Sequence, residues 1–254
     1  MSIERDPLAQ TLTVVTVLSG IADAVSYLGL GHVFTANMTG NVVVIGFAIA
    51  GWPGFSAPAS LLSLGGFLVG AASAGRLAMS FGGRRRWLLG ALCVEAALTA
   101  TCAAIAFGSG DISTGGVRYA IIALLAFAMG VRNATVRRLA VPDMTTTVLT
   151  LTLTGLAADS TLAKGANPRI GRRAAAVTSM VLGAYVGAVM MRYVNAGWPL
   201  LLWSAAVVAV GLYYAARSRP VAEDGAEKDG ASKEGTGQGG ATGPAAAGPA
   251  DPPR

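Results

Sequence analysis

A series of apolar runs, each close to the length of a bilayer crossing, most constrains what this chain can fold into. A transmembrane helix needs about 20 predominantly apolar residues. Runs of that kind occupy residues 8–30, 61–81, 88–107, 174–191 and 198–215. A sixth, 119–131, leads straight into Arg132, Asn133, Arg137 and Arg138. Two further runs are short: 38–51, and the threonine-rich 143–158. The expected fold class is therefore an all-α polytopic membrane protein with about six full transmembrane helices and two short re-entrant or broken segments. Composition agrees, because 53% of the 254 residues are hydrophobic and 13% charged, against about 25% charged in an ordinary soluble domain.

The charges that remain are grouped. The net charge is +6, but residues 217–254 hold five basic and six acidic side chains, leaving 14 basic and 7 acidic in the body. Three clusters stand out: Arg84, Arg85 and Arg86 beside Trp87; Arg137 and Arg138; and Lys164, Arg169, Arg172 and Arg173. Basic loops stay on the cytoplasmic side, which predicts a membrane protein with both termini in the cytoplasm. Aromatic residues do not alternate with basic ones, so no nucleic-acid platform is expected. Residues 1–10, of mixed charge, precede an apolar run without a small-residue cleavage site, so the first span is expected to serve as the insertion signal. Cys93 and Cys102 are nine positions apart, on opposite faces of a helix. Neither a disulfide framework nor a metal-ligand set follows from them, and no cofactor is expected. Residues 217–254, rich in Gly, Ala, Pro, Glu and Lys, are expected to form a disordered cytoplasmic tail.

Polar groups inside such runs are costly and mark function. Residues 23–41 read DAVSYLGLGHVFTANMTGN, placing Asp23 within the first span and Asn37, Thr39 and Asn41 just before a short apolar run. A weaker copy follows at 133–147, NATVRRLAVPDMTTT. In order, Gly20 matches Gly130, Asp23 matches Asn133, Asn37 matches Asp143, and Asn41 matches Thr147; the pair Gly66/Gly70 matches Gly183/Gly187, and Trp87 matches Trp198. The chain thus divides into a first membrane repeat at 1–108 and a second at 109–216. Each repeat has one carboxylate and one amide, in exchanged positions. A full crossing by 143–158 would put one of its flanking basic clusters outside. If instead that segment and 38–51 enter the bilayer and return, each repeat has three crossings, and the second copy is inverted. Eight crossings with parallel repeats is the alternative. For 143–158 both readings remain open locally: Thr150, Thr152 and Thr154 alternate as in a strand, whereas Thr147, Thr150 and Thr154 share a helical face.

The pattern D-A-x-S-Y-L … V-F-T-A-N-M-T-G-N-V, residues 23–42, resembles the YoaK family, as does M-G-x-R-N-A … D-M-T-T-T at 129–147. The resemblance covers about residues 10–216. It implies a bacterial inner-membrane protein of about six spans and carries no established reaction or substrate.

The expected function is transport of a small solute or ion through a polar site at the repeat interface. Asp23 and Asp143 would titrate there, with Asn37, Thr39, Asn41, Asn133, Thr145, Thr146 and Thr147 as neutral ligands. Arg132 is a charge partner or gate, either for Asp23 or as a structural lock. Glu95, alone in its span, is the other candidate charge partner or gate, expected to make a buried structural hydrogen bond, with a proton relay as the alternative. The alternative is a non-transporting assembly or lipid-interacting protein whose polar centre is a packing network. An enzyme is not expected: HExxH and GxSxG are absent, and His32, the one histidine, fits an interfacial or capping role. Partners are the bilayer, an unidentified small solute or ion, and a second copy through the glycine-spaced faces at 66/70 and 183/187.

Overall fold

The computed structural model describes residues 7–79, 83–139, 149–163, 165 and 170–217. They form eight α-helices: α1 (Pro7–Gly29), α2 (Met38–Ile49), α3 (Ala57–Leu77), α4 (Arg84–Ser109), α5 (Gly115–Leu139), α6 (Leu149–Ala158), α7 (Ile170–Tyr193) and α8 (Gly197–Arg217). Five of them, α3, α4, α5, α7 and α8, are long and apolar enough to cross a membrane. The 23-residue α1 has a shorter apolar stretch, Thr13–Gly29. It nevertheless reaches both ends of the bundle, because Tyr213 near the end of α8 donates to Gln10, and Gly29 lies against Met191 near the end of α7. With 12 residues, α2 is under about 20 Å long at 1.5 Å per residue, too short for a hydrocarbon core of about 30 Å, and the described part of α6 has 10 residues.

Local signals explain the helix ends. Asn37 caps α2 by accepting from Gly40 N at 3.4 Å, and Ser56 caps α3 by accepting from Ala59 N at 3.4 Å. Between α4 and α5, Asp111 accepts from Ser113 N at 2.8 Å. That backbone hydrogen bond holds its carboxyl below the usual carboxylate range. The helical reading of the threonine-rich segment holds over 149–158, where Thr154 Oγ1 donates to Thr150 O at 2.9 Å. The sixth apolar run, 119–131, forms the middle of a longer helix. Helix α5 runs on through Arg132 and Asn133 to Leu139, because the Arg132 charge is paired inside the bundle.

Close approach at glycines sets the packing. A Cβ on Gly70 would strike the carbonyl of Phe127, and one on Gly130 the carbonyl of Phe67 and the amide of Ala71. These contacts bring α3 onto α5 with the two chains parallel. In the same way Gly183 meets the carbonyl of Val17, Gly20 meets Met180 and Ala184, and Gly187 meets Ile21 and Ala24, laying α7 parallel to α1. Helix α4 is antiparallel to α8: Arg85 Nη2 donates to Ala215 O at 2.8 Å, and the rings of Phe107 and Trp198 stack edge to face at 5.6 Å. It is also antiparallel to α5, with Arg84 Nη2 donating to Leu139 O at 2.6 Å.

Followed through these pairings, α1, α4 and α7 run one way, and α3, α5 and α8 the other. Helix α2 packs on α3, and α6 on α7. The main helix pairs (α1 with α7 and α3 with α5, α4 with α5 and α1 with α8, α2 with α3 and α6 with α7, and α4 with α8) map onto one another when α1–α4 are exchanged with α5–α8, and the exchange reverses the direction of the six long helices. The glycines fix a register that differs by one turn from the match read along the sequence. The α5 glycine Gly130 contacts Phe67 and Ala71, whereas Gly20 of α1 contacts Met180 and Ala184, so Gly70 corresponds to Gly183. The glycine faces expected to serve self-association are occupied within the chain. Its lipid-side surface instead shows large apolar groups such as Leu68, Val69, Val181, Leu182 and Leu212.

Candidate functional site

Asp23 lies in α1, six residues before the helix ends, and is 7% exposed. After α1 the chain turns at Gly31 and at His32, which has a positive φ of 60°. His32 Nδ1 sits 3.0 Å from Gly54 O, and its ring packs on Tyr27 and Phe55. These contacts hold the turn that follows α1 against the turn that follows α2. The stretch of chain that follows dips back along α1, and Ala36 N donates to Asp23 Oδ1 at 3.1 Å. Helix α2 then starts at depth and climbs outward.

A cavity of about 380 Å³ adjoins Asp23. Among the described residues, Ser19 and Asp23 of α1, Asn37, Thr39 and Gly40 at the start of α2, Leu149 and Thr150 at the start of α6, and Met180 of α7 line it. The N-terminal end of α2 and the first described residues of α6 therefore meet at one chamber. Helix N-termini present unpaired N–H groups and a partial positive charge; Asn37 and the Asp23 carboxylate face the α2 end. Asp23 is the one acidic side chain in the described lining.

The other expected site residues separate into three groups. Asn41 is fully buried but points away from the chamber. It accepts from Phe34 N at 2.9 Å and donates to Phe34 O at 2.6 Å and to Ser63 Oγ at 3.1 Å, and so clamps the returning chain to α3. Asn133 is not beside Asp23. It donates to Met129 O at 2.9 Å and lines a different cavity, of about 850 Å³, between α3 and α5. Asp143, Thr145, Thr146 and Thr147 lie outside the described residues, as does the tail expected over 217–254 beyond Arg217.

Arg132 and Glu95 form a buried ion pair, with exposures of 4% and 1%. Arg132 Nε donates to Glu95 Oε2 at 2.8 Å, and Nη2 donates to Oε1. Trp203 Nε1 donates to the same Oε1 at 2.8 Å, and the guanidinium lies 5.3 Å from the Trp203 ring. The remaining nitrogen, Nη1, reaches Ser19 Oγ at 3.0 Å and Val15 O at 3.3 Å. Of the two roles expected for Arg132, the geometry matches the lock: its direct carboxylate partner is Glu95, not Asp23. The same residue ties α5 to α1, α4 and α8. Through Ser19 it also touches a wall of the Asp23 chamber.

Sequence reasoning passed over Ser19, Met180, Ser63 and Trp203. A serine or methionine in an apolar helix carries no signal of its own. Trp203, at mid-span instead of at an interface, was the legible one, because a buried indole N–H needs an acceptor. No group of three or more metal-binding side chains occurs among the described residues.

The family model described as "Protein of unknown function (DUF1275)" matches residues 11–214, and the chain belongs to that family. Over 151 residues it is 33% identical to the "UPF0700 transmembrane protein YoaK" of Bacillus subtilis, a match spanning 58% of this chain and 65% of that protein. No solved structure matches.

Proposed function

We propose that this DUF1275 membrane protein is a non-catalytic transporter of a small solute or ion and that its binding chamber is the cavity beside Asp23. The observation carrying this reading is that two short helices meet, α2 at Asn37–Gly40 and α6 at Leu149 and Thr150, at a chamber of about 380 Å³ with one buried carboxylate in its described wall. Discontinuous helices meeting inside an inverted pair of repeats are a recurrent way to build a transport site. Irregular backbone at that depth is tolerated where protein or a water-filled cavity covers it. Asp23, Asn37, Thr39, Ser19 and Thr150 would supply the polar contacts.

In this reading the protein sits in the bacterial inner membrane. The end bearing Arg84–Arg86, Arg137, Arg138, Arg172, Arg173 and Arg217 faces the cytoplasm, together with the start of α1 and the end of α8. A second reading, a non-transporting protein with a polar packing network, is favoured by one specific observation: Asp23 Oδ1 already accepts from Ala36 N, which by itself accounts for a buried carboxylate holding the returning chain.

Proteoliposomes carrying a pH-sensitive dye, challenged with a panel of ions and small metabolites, separate the two. Transport predicts solute-dependent flux that Asp23→Asn abolishes while the variant still elutes as a folded protein. Flux equal in wild type and variant removes Asp23 from the mechanism. No flux across the panel, together with a large loss of thermal stability in Asp23→Asn, favours the packing network.

A further inference from the structure

The larger cavity, about 850 Å³, lies at the opposite, basic end of the bundle. Its floor is a stripe on the last turns of α3, where Ala71, Ala74, Gly75 and Ala78 recur at helical spacing. The volume exists because those side chains are small; a Cβ on Gly75 would meet nothing within 4 Å. Phe67 closes the inner end and Trp87 of α4 flanks the wall. At the mouth stand Arg137 and Arg138, on the last turn of α5, both exposed. Neither guanidinium makes a hydrogen bond or ion pair to a described residue.

Asn133, which lines this cavity, corresponds to Asp23 in the other half. With that offset of 110 positions, the places of Arg137 and Arg138 are taken by Tyr27 and Leu28. The two cavities thus occupy related positions with reversed charge. One holds a carboxylate; the other has an amide and two arginines.

We propose that this second cavity binds an anionic phospholipid. Its phosphate would sit between the Arg137 and Arg138 guanidiniums, and the upper part of an acyl chain would lie on the Ala71–Ala78 stripe beside Trp87. The charge calls for an anion, and guanidinium forks match phosphate oxygens. The apolar floor calls for a hydrocarbon, which an inorganic ion does not have. The depth fits as well, because the basic end of a span lies at the headgroup level, where basic pockets between helices take up anionic lipids. This inference is independent of the Asp23 chamber and stands whether or not the protein transports.

Trp87 supplies the readout. The protein is reconstituted into phosphatidylcholine nanodiscs containing a minor fraction of chain-brominated lipid, either phosphatidylglycerol or phosphatidylcholine. The Trp87 signal is taken as the difference between the protein and its Trp87→Phe variant. The expected result is much stronger quenching by the brominated anionic lipid, equivalent to roughly thirtyfold local enrichment, the order expected of two arginines at a membrane surface at about 1 kcal/mol each. The preference should vanish in Arg137→Gln/Arg138→Gln and survive in Arg137→Lys/Arg138→Lys. Gly75→Leu keeps both charges and fills the floor, so it should reduce quenching by either lipid and tests the site even if the glutamine variant does not fold. Equal quenching by the two lipids, a preference unchanged by the glutamine pair, or displacement of the preference by millimolar inorganic phosphate would each overturn the proposal.

Discussion

At the scale of single residues, the buried charges sort by what they touch. Arg132 and Glu95 neutralise each other inside the bundle, with Trp203, Ser19 and Val15 taking up further hydrogen bonds. Removing one partner of a buried pair strands the other, at a cost of about 3–5 kcal/mol, whereas replacing both by apolar groups of similar volume is often close to neutral. Glu95→Met and Arg132→Met are therefore each expected to destabilise strongly, and the double variant less than either. Unfolding in detergent titrated with a denaturant measures this cycle; additive losses would mean the pair is not coupled. The sequence made Glu95 and Arg132 conspicuous, as two charges in apolar runs, but it could not pair them. Their contact joins residues 37 positions apart on antiparallel helices, and Arg132 had an equally plausible partner in Asp23. Asn41 shows the converse. Its motif marked it as a ligand, and its amide is instead spent on Phe34 and Ser63, because a chain that re-enters the bundle exposes backbone groups that must be satisfied there.

At the scale of helices, glycine position decides which faces meet. Gly183 and Gly130 stand against backbone of the neighbouring helix, while a methyl group added at Gly46 of α2 would have nothing within 4 Å. Gly183→Ala is expected to force α7 off α1 and lower thermal stability. Gly46→Ala should be neutral or raise stability by up to about 1 kcal/mol through helix propensity. Parallel melting curves for the two variants check this, and a tolerated Gly183→Ala would refute the close crossing. The GxxxG spacing was legible in the sequence, and so were the eight apolar segments. Their partners were not, since the same spacing serves contacts within a chain and between chains equally well. The one-turn error in matching Gly70 has the same origin: small residues recur every four positions, and only the facing helix distinguishes one from the next.

At the scale of the whole molecule, directions follow from the pairings: six helices alternate, and the proposed arrangement has α2 and α6 returning on opposite sides. Single cysteines at Gly54, after α2, and at Thr161, after α6, in a background lacking Cys93 and Cys102, test that arrangement with impermeant thiol reagents in intact cells. Labelling from outside is expected at 54 and not at 161. Eight full crossings would put both positions on one side, so matching labelling would sink the inverted arrangement. The distribution of basic residues already pointed this way, because two basic clusters flanking one short segment cannot both be cytoplasmic if that segment crosses.

The interlocked order of the helices has a consequence for how such a chain is made. Helix α1 finds its glycine-mediated neighbour only in α7, and α3 only in α5. The first half therefore leaves the ribosome without the surfaces it will pack against. Glu95 likewise leaves the ribosome 37 residues ahead of its partner Arg132. Maturation must pass through a stage in which the early helices wait, open and partly uncompensated, for the late ones. Two halves expressed as separate polypeptides would each be incomplete alone and complete one another when co-expressed.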